Sequence, residues 1–242
     1  MDDARRVLSF PTMFNARDLG GYPTSDGGRT RWRSVLRADD PVQLTPAGLA
    51  AFAAFGVATV IDLRWPEEAA DNPNPVERKL KHVRYHHISL LAPSAAKWLE
   101  VCGEPPKEMW LTAVLQYSQA ELGQVLQAIA AAPDAPVLFH CVAGKDRTGA
   151  VAAVLLALAG VVPEAIARDY AASSEHLRAS YFQRHSSLQR EEIAEALRCP
   201  PEGVYRMLEH LEGEGGIDAF LGRIGVDERQ RARLRHRLIS PL

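Results

Sequence analysis

Cys141 and Arg147 carry the side chains whose types and spacing point most directly to chemistry. Five residues separate them, Val142, Ala143, Gly144, Lys145 and Asp146, and a loop of that length can close around a tetrahedral anion. The thiol would lie beneath the anion and the guanidinium would fold over its edge. An apolar run, residues 137–139, leads into His140 and Cys141, and Thr148 and Gly149 open a long apolar segment after the loop. Successive backbone N–H groups at the N-terminus of a helix make a ready anion site. The stretch therefore reads as a phosphate-binding loop built around a cysteine nucleophile.

A thiol attacks phosphorus as the thiolate, and a free thiol with a pKa near ~8.5 is only slightly ionised at neutral pH. A helix N-terminus, inward N–H groups and a guanidinium all favour an anionic sulfur. The same groups would hold a phosphoryl dianion and the charge spread over its equatorial oxygens in the transition state. Arg147 suits that task better than a lysine, because its planar fork can bond two oxygens at once. Thr148 is placed for its hydroxyl to bond the Cys141 sulfur and ease its departure from a phosphocysteine. His140 is placed to orient the loop from behind rather than to act as a base. Most free cysteines are small buried hydrophobes, but the histidine before Cys141, the arginine after it and the glycine between argue against that role.

Around this loop, residues 137–140 read as a buried strand and the segment up to Gly160 as a buried helix. Thr45 and Pro46 are an N-cap and first-turn pair, and Gly56 is a stop. A short buried strand over 57–63 then delivers Asp62 and Arg64. Residues 32–37 and 83–90 read as further strands, and 107–132 as helix broken near Ser118. The polar stretch from Asn15 to Asp18, closed by Gly20, Gly21 and Pro23, reads as a loop rather than a strand. Strands alternating with helices predict an α/β fold, a mainly parallel central sheet flanked by helices. After Pro163 every segment is helical, over 163–172, 173–185, 190–198, 201–212, 217–224 and 227–238. The expectation is one domain over 1–242, with this helical C-terminal addition on the α/β core.

A formal charge of -2 and a pI near 6.5 give no electrostatic footprint for nucleic acid. The three cysteines, Cys102, Cys141 and Cys199, form neither a disulfide framework nor a zinc pattern. No cofactor and no metal are expected, and a reducing cytoplasm is the default compartment. No apolar leader follows Met1, and the longest apolar run, 150–162, is too short to span a bilayer. No integral membrane segment is expected; export by a signal-independent route stays open.

The run H-C-V-A-G-K-D-R-T-G, residues 140–149, resembles the signature loop of the cysteine-dependent protein tyrosine and dual-specificity phosphatases. Four further stretches resemble the bacterial tyrosine phosphatases of the mycobacterial PtpB type. They are N-A-R-D-L-G-G from Asn15, V-I-D-L-R-W-P-E-E from Val60, R-D-Y-A-A-S from Arg168 and G-G-I-D-A-F-L from Gly215. The resemblance implies a phosphatase fold and hydrolysis of phosphotyrosine through a phosphocysteine. Phosphoserine, phosphothreonine and phosphoinositides are possible further substrates, so the partner is a phosphorylated protein or a phosphoinositide. It also implies that Arg17 and Asp18 border the phosphate loop, and that residues 173–212 can form a helical lid; an ordinary packed subdomain is the alternative. A phosphoinositide phosphatase, or a phospho-ligand binding module without turnover, is the rival function.

The wider family places its acid, an aspartate, roughly 30–40 residues before the nucleophile, but no aspartate lies between Asp71 and Asp134. Trp65, Pro66 and Glu67 imitate the family's Trp-Pro-Asp loop in letters, yet they follow the wrong strand and read as a helix start. Asp146, inside the loop, is the expected acid, with a structural hydrogen bond as its alternative role and Glu108 as the fallback. Lys145 beside it would steer anionic substrates or pair with it. Asp62 and Arg64 read as a structural pair with Glu68, and His82, His86 and His87 as strand residues. Cys102 and Cys199 read as structural, with a redox partnership to Cys141 as the alternative.

Overall fold

The computed structural model describes residues 3–90, 105–184 and 189–239. Five strands make one sheet: β1 (Arg17–Asp18), β2 (Val35–Ala38), β3 (Thr59–Asp62), β4 (Arg84–His87) and β5 (Val137–His140). Their order is β1-β2-β5-β3-β4, and only β1 runs antiparallel to its neighbour. The register sets Ala38 and Asp62 beside His140 at the carboxyl ends of the three inner strands. Open α/β sheets place their ligands beyond that edge.

The described helices are α1 (Asp3–Arg6), α2 (Pro46–Phe55), α3 (Pro66–Asp71), α4 (Pro75–Lys79), α5 (Trp110–Tyr117), α6 (Gln119–Ala131), α7 (Asp146–Leu158), α8 (Pro163–Arg184), α9 (Arg190–Leu197), α10 (Glu202–Gly213), α11 (Ile217–Arg223) and α12 (Glu228–Leu238). The predicted punctuation of α2 is present: the Thr45 hydroxyl accepts from Gly48 N, and Gly56 closes the helix in the left-handed region. Ser118 separates α5 from α6.

Every residue of β2, β3 and β5 is buried, which is why these strands read as continuous apolar runs. Val137 and Phe139 face one core, shared with α5, α6 and α7, while Leu138 faces a second core with Phe10, Leu49 and Phe52. Burial on nearly all sides of α7 leaves its N-terminus, at the sheet edge, as the end where polar chemistry can be done.

Two expectations need correction. Arg17 and Asp18 are strand, not loop, because their backbone pairs with Leu36 and Arg37 at the sheet edge. Residues 163–184 form one helix, α8, with no break at Ser173. Its hydroxyl is buried and accepts from Arg17 and Arg37, so this mid-helix serine meets no unsatisfied demand. The described helices of the span 173–212 contribute to two different clusters. Val204, Met207 and Leu211 of α10 belong to the main core, whereas Leu177, Ile193 and Leu197 of α8 and α9 form a separate small cluster. Among the described residues, no helix is long and apolar enough to cross a membrane, and no group of three or more His, Cys, Asp or Glu side chains could hold a metal ion.

Candidate active site

The loop leaves β5 at His140 and enters α7 at Asp146. All six carbonyls from His140 to Lys145 are held by donors. Leu63 N donates to His140 O (2.8 Å), Asp40 N to Val142 O (3.0 Å) and Gly149 N to Lys145 O (2.8 Å). The His140 ring donates from Nδ1 to Cys141 O at 3.0 Å. Asn15 Nδ2 donates to both Ala143 O and Gly144 O at 3.0 Å, and Arg37 Nη2 also reaches Gly144 O, at 2.6 Å. In a trans peptide the N–H points opposite to the C=O. With the carbonyls turned to the surrounding frame, the N–H groups of the loop turn to its interior, where α7 adds the unpaired donors of its first turn.

Gly144 has φ of +65°, and a Cβ there would come within 2.3 Å of Ala38 O. Only glycine lets the loop lie this close to β2. Cys141 is buried at the loop's start. His140 is fully buried, and its Nε2 lies 3.0 Å from Asn74 Nδ2. Since the Asn74 amide must donate, the ring is the neutral Nδ1–H tautomer. Burial holds its pKa below the ordinary value. The ring thus braces the loop at Cys141 O and is itself held by Asn74.

Arg147 meets Glu68 of α3 fork to fork, Nη1–Oε2 at 2.7 Å and Nη2–Oε1 at 3.0 Å, and lies 5.2 Å from the Trp65 ring centroid. Burial works against both charges, but the pairing outweighs it and holds Glu68 below the usual carboxylate range. The stretch Trp65 to Glu68 is the predicted helix start, with Pro66 in the first turn and Glu68 Oε2 accepting from Trp65 N at 2.7 Å. It is also part of the site. Glu68 therefore pairs with Arg147, and Arg64 instead clasps Asp62 (Nη2–Oδ2, 2.6 Å). Tyr85 donates to the same carboxylate at 2.7 Å. Burial disfavours the charge of Asp62, yet Arg64, by hydrogen bond and charge, and the Tyr85 hydroxyl hold it well below the carboxylate range.

Asp146 is the first residue of α7, its side chain about a quarter exposed. Tyr170 donates to its Oδ1 at 3.3 Å, and Lys145 Nζ lies 3.5 Å from Oδ2. Lys145 is buried and donates to Ala196 O of α9 at 2.6 Å. Its predicted pairing with Asp146 is present, and the same ammonium also holds α9 through Ala196 O. The Thr148 hydroxyl is buried and makes no hydrogen bond, so the expected bond to the Cys141 sulfur is not formed. Glu108 is ion-paired with Arg198 at 2.5 Å.

Asp18 does not border the loop. Its carboxylate accepts from Gly20 N (2.8 Å) and Arg33 N (2.7 Å), because in β1 it holds the following turn. Arg17 lies one shell out, bonded to Asn15 Oδ1, Asp169 and Ser173. Asp169, fully buried, also pairs with Arg37 and accepts from Tyr22 at 2.9 Å. Burial alone would raise it, but Arg37 and Arg17 hold it down to about 2. Cys199 is buried in the core, its thiol pushed up to about 11 by burial, as suits a structural cysteine. Cys102 lies outside the described residues. His86 and His87 are on β4, with His82 just before it.

Sequence reasoning passed over Asn15, Arg37, Asp169, Tyr170 and Ser173 as individual residues, and it gave Glu68 to Asp62 and Arg64 rather than to Arg147. All but Arg37 lie inside stretches quoted for the family resemblance, so a signal existed for them; Arg37 had none.

The architecture defines a class: an α/β protein with a buried thiol and an anion-binding loop between its central strand and a buried helix. Comparison with known proteins gives the family. Residues 8–240 match the tyrosine phosphatase family, and the chain belongs to it. A tyrosine-protein phosphatase of Nostoc commune is 35% identical over 221 residues, 85% of this chain and 74% of that protein. A putative tyrosine-protein phosphatase of Cupriavidus necator is 31% identical over 191 residues, 71% of this chain and 64% of that one. A crystal structure of P. aeruginosa TpbA in complex with pTyr is similar with a TM-score of 0.36 and 18% identity, covering 72% of this chain and 86% of that one.

Proposed function

We propose that this enzyme is a phosphatase of the PtpB type that hydrolyses phosphotyrosine through a phosphocysteine at Cys141. The observation that carries the reading is the loop itself: six successive carbonyls each held by a donor, and a guanidinium clamped by Glu68 beside the thiol. Such a cradle stabilises charge on transferring phosphoryl oxygens without reorganising. The Cys141 sulfur attacks phosphorus in line with the leaving oxygen; the S–P bond forms as the P–O bond breaks, and Asp146 protonates the phenolate. A water then attacks the phosphocysteine, Asp146 takes its proton, and thiolate and inorganic phosphate are released. Arg147 and the amides of Val142 to Arg147 hold the three equatorial oxygens. A phosphoinositide reading would want Lys145 for a second phosphate, and its contact with Ala196 O speaks for phosphotyrosine instead.

Asp146→Asn tests the acid. Hydrolysis of phenyl phosphate, a poor leaving group, should slow by about 10²–10³-fold, and p-nitrophenyl phosphate far less. The assay runs in EDTA. Equal loss on both substrates removes Asp146 from this role, and a requirement for added metal overturns the mechanism.

The end of α8 together with α9 is proposed as the cover of the site. Its support is the small size of the Leu177, Ile193 and Leu197 cluster, which rests on Ala143 of the loop, and the single Lys145 bond to Ala196. Amide exchange in α9 should be faster than in α7 and should slow when vanadate binds. Equal protection of the two helices, unchanged by vanadate, would show a fixed subdomain.

A further inference from the structure

Four of the six outward carbonyls of the loop are satisfied locally or by neighbouring backbone: His140 O, Cys141 O, Val142 O and Lys145 O. Ala143 O and Gly144 O are different. Their partners are side chains, Asn15 and Arg37, brought in from 107 to 129 residues away in sequence. These two carbonyls precede the N–H groups of Gly144 and Lys145, at the apex of the loop, where glycine leaves the backbone least restrained. We propose that Asn15 and Arg37 are positioning residues of the phosphate site. They fix the two apical peptide planes so that both N–H groups face the bound phosphoryl oxygens before substrate arrives. The proposal rests on the loop being the phosphate site.

Both side chains are themselves held in one orientation. The Asn15 amide can point its NH₂ at the loop only if its oxygen finds a donor elsewhere, and Arg17 Nη1 supplies it. The Asn15 backbone is pinned by Asp39, which accepts from Phe14 N and Asn15 N, each at 2.9 Å. Arg37 is fully buried and splits its fork: Nη1 pairs with Asp169, Nη2 with Gly144 O and, at 3.2 Å, the Ser173 hydroxyl. A lysine in its place has one point charge and cannot span the carboxylate and the carbonyl together. Asp169 and Ser173 of α8 thus bind Arg17 and Arg37 at once, and the two arginines pass that rigidity to the loop from β1 and β2.

A side chain that acts through peptide planes should change oxyanion affinity and turnover together, whereas one that only stabilises the fold should change neither in the folded protein. The test uses Asn15→Ala and Arg37→Lys in the full chain, with unfolding midpoints measured to confirm the folded state. Each variant is expected to lose about 10- to 100-fold in kcat/KM for p-nitrophenyl phosphate, and its inhibition constants for vanadate and inorganic phosphate should rise in parallel. Slowing of amide exchange at Gly144 and Lys145 by vanadate, present in the wild type, should be lost. Folded variants with unchanged vanadate inhibition would overturn the proposal. So would loss of the fold in both, which would assign the two residues to general stability. A wild-type enzyme that hydrolyses the substrate yet is not inhibited by vanadate or phosphate would instead remove the loop as the phosphate site, a separate failure visible before any variant is made.

Discussion

Cys141→Ser is expected to abolish steady-state turnover, with kcat reduced by about 10⁵–10⁶-fold, the scale seen when a covalent nucleophile is removed. The serine hydroxyl is nearly isosteric, but it ionises far less readily than a thiol, and in the first step of the proposed mechanism Asp146 carries the proton for the leaving group and cannot act as its base. His140 is buried, and its Nε2 is engaged by Asn74. The cradle should survive, since among the described residues the hydrogen bonds that hold the loop carbonyls do not use the Cys141 sulfur. Titration of the variant with a phosphotyrosine peptide, followed by calorimetry, should therefore show binding with no release of phosphate. Residual turnover within a hundredfold of the wild type would mean that another group carries the attack, and the covalent mechanism would fall.

Arg147→Lys should cost about 10³–10⁴-fold in kcat, near the range measured for arginines that stabilise transferring phosphoryl groups. Lysine keeps the charge but loses the fork, which meets Glu68 with two nitrogens and, in the proposed mechanism, would bond two phosphoryl oxygens as well. Glu68→Gln, from a helix start that imitates a catalytic loop only in letters, should cost about 10-fold, because the guanidinium keeps one hydrogen-bond partner but loses its counter-charge. The double variant decides whether Glu68 works through Arg147. If it does, Glu68→Gln adds almost nothing to Arg147→Lys, and the two losses are strongly non-additive. Simple multiplication of the losses would show Glu68 acting elsewhere, on the fold or on substrate entry.

The parts of the site legible in the sequence are those that depend on neighbours along the chain. Strand, loop and helix follow each other within residues 137–160, and each is set by short-range rules. A β-rich apolar run comes first, then a glycine where the backbone must pass close to β2, then a helix start with a free N-terminus. The caps of α2 and the break at Ser118 were readable for the same reason. The N-terminal motif was readable only as a unit. Arg17 and Asp18 look like its chemical residues, but Asn15 touches the loop, because β1 pairs with β2 and its register turns Asp18 to the amides of Gly20 and Arg33.

The sequence by itself determined the order of the strand, loop and helix that make the candidate site, the α/β architecture and the buried helix behind the loop. Periodicity, capping and glycine placement are local properties, and they act before any long-range contact exists. Only the tertiary structure decided who holds the unit in shape. Glu68 clamps Arg147 across 79 residues, and Asn15 and Arg37 grip the apical carbonyls across more than a hundred. Such partners are chosen by the requirement that every buried donor and acceptor be satisfied. That requirement can be met only once the strands stand side by side and their register is set.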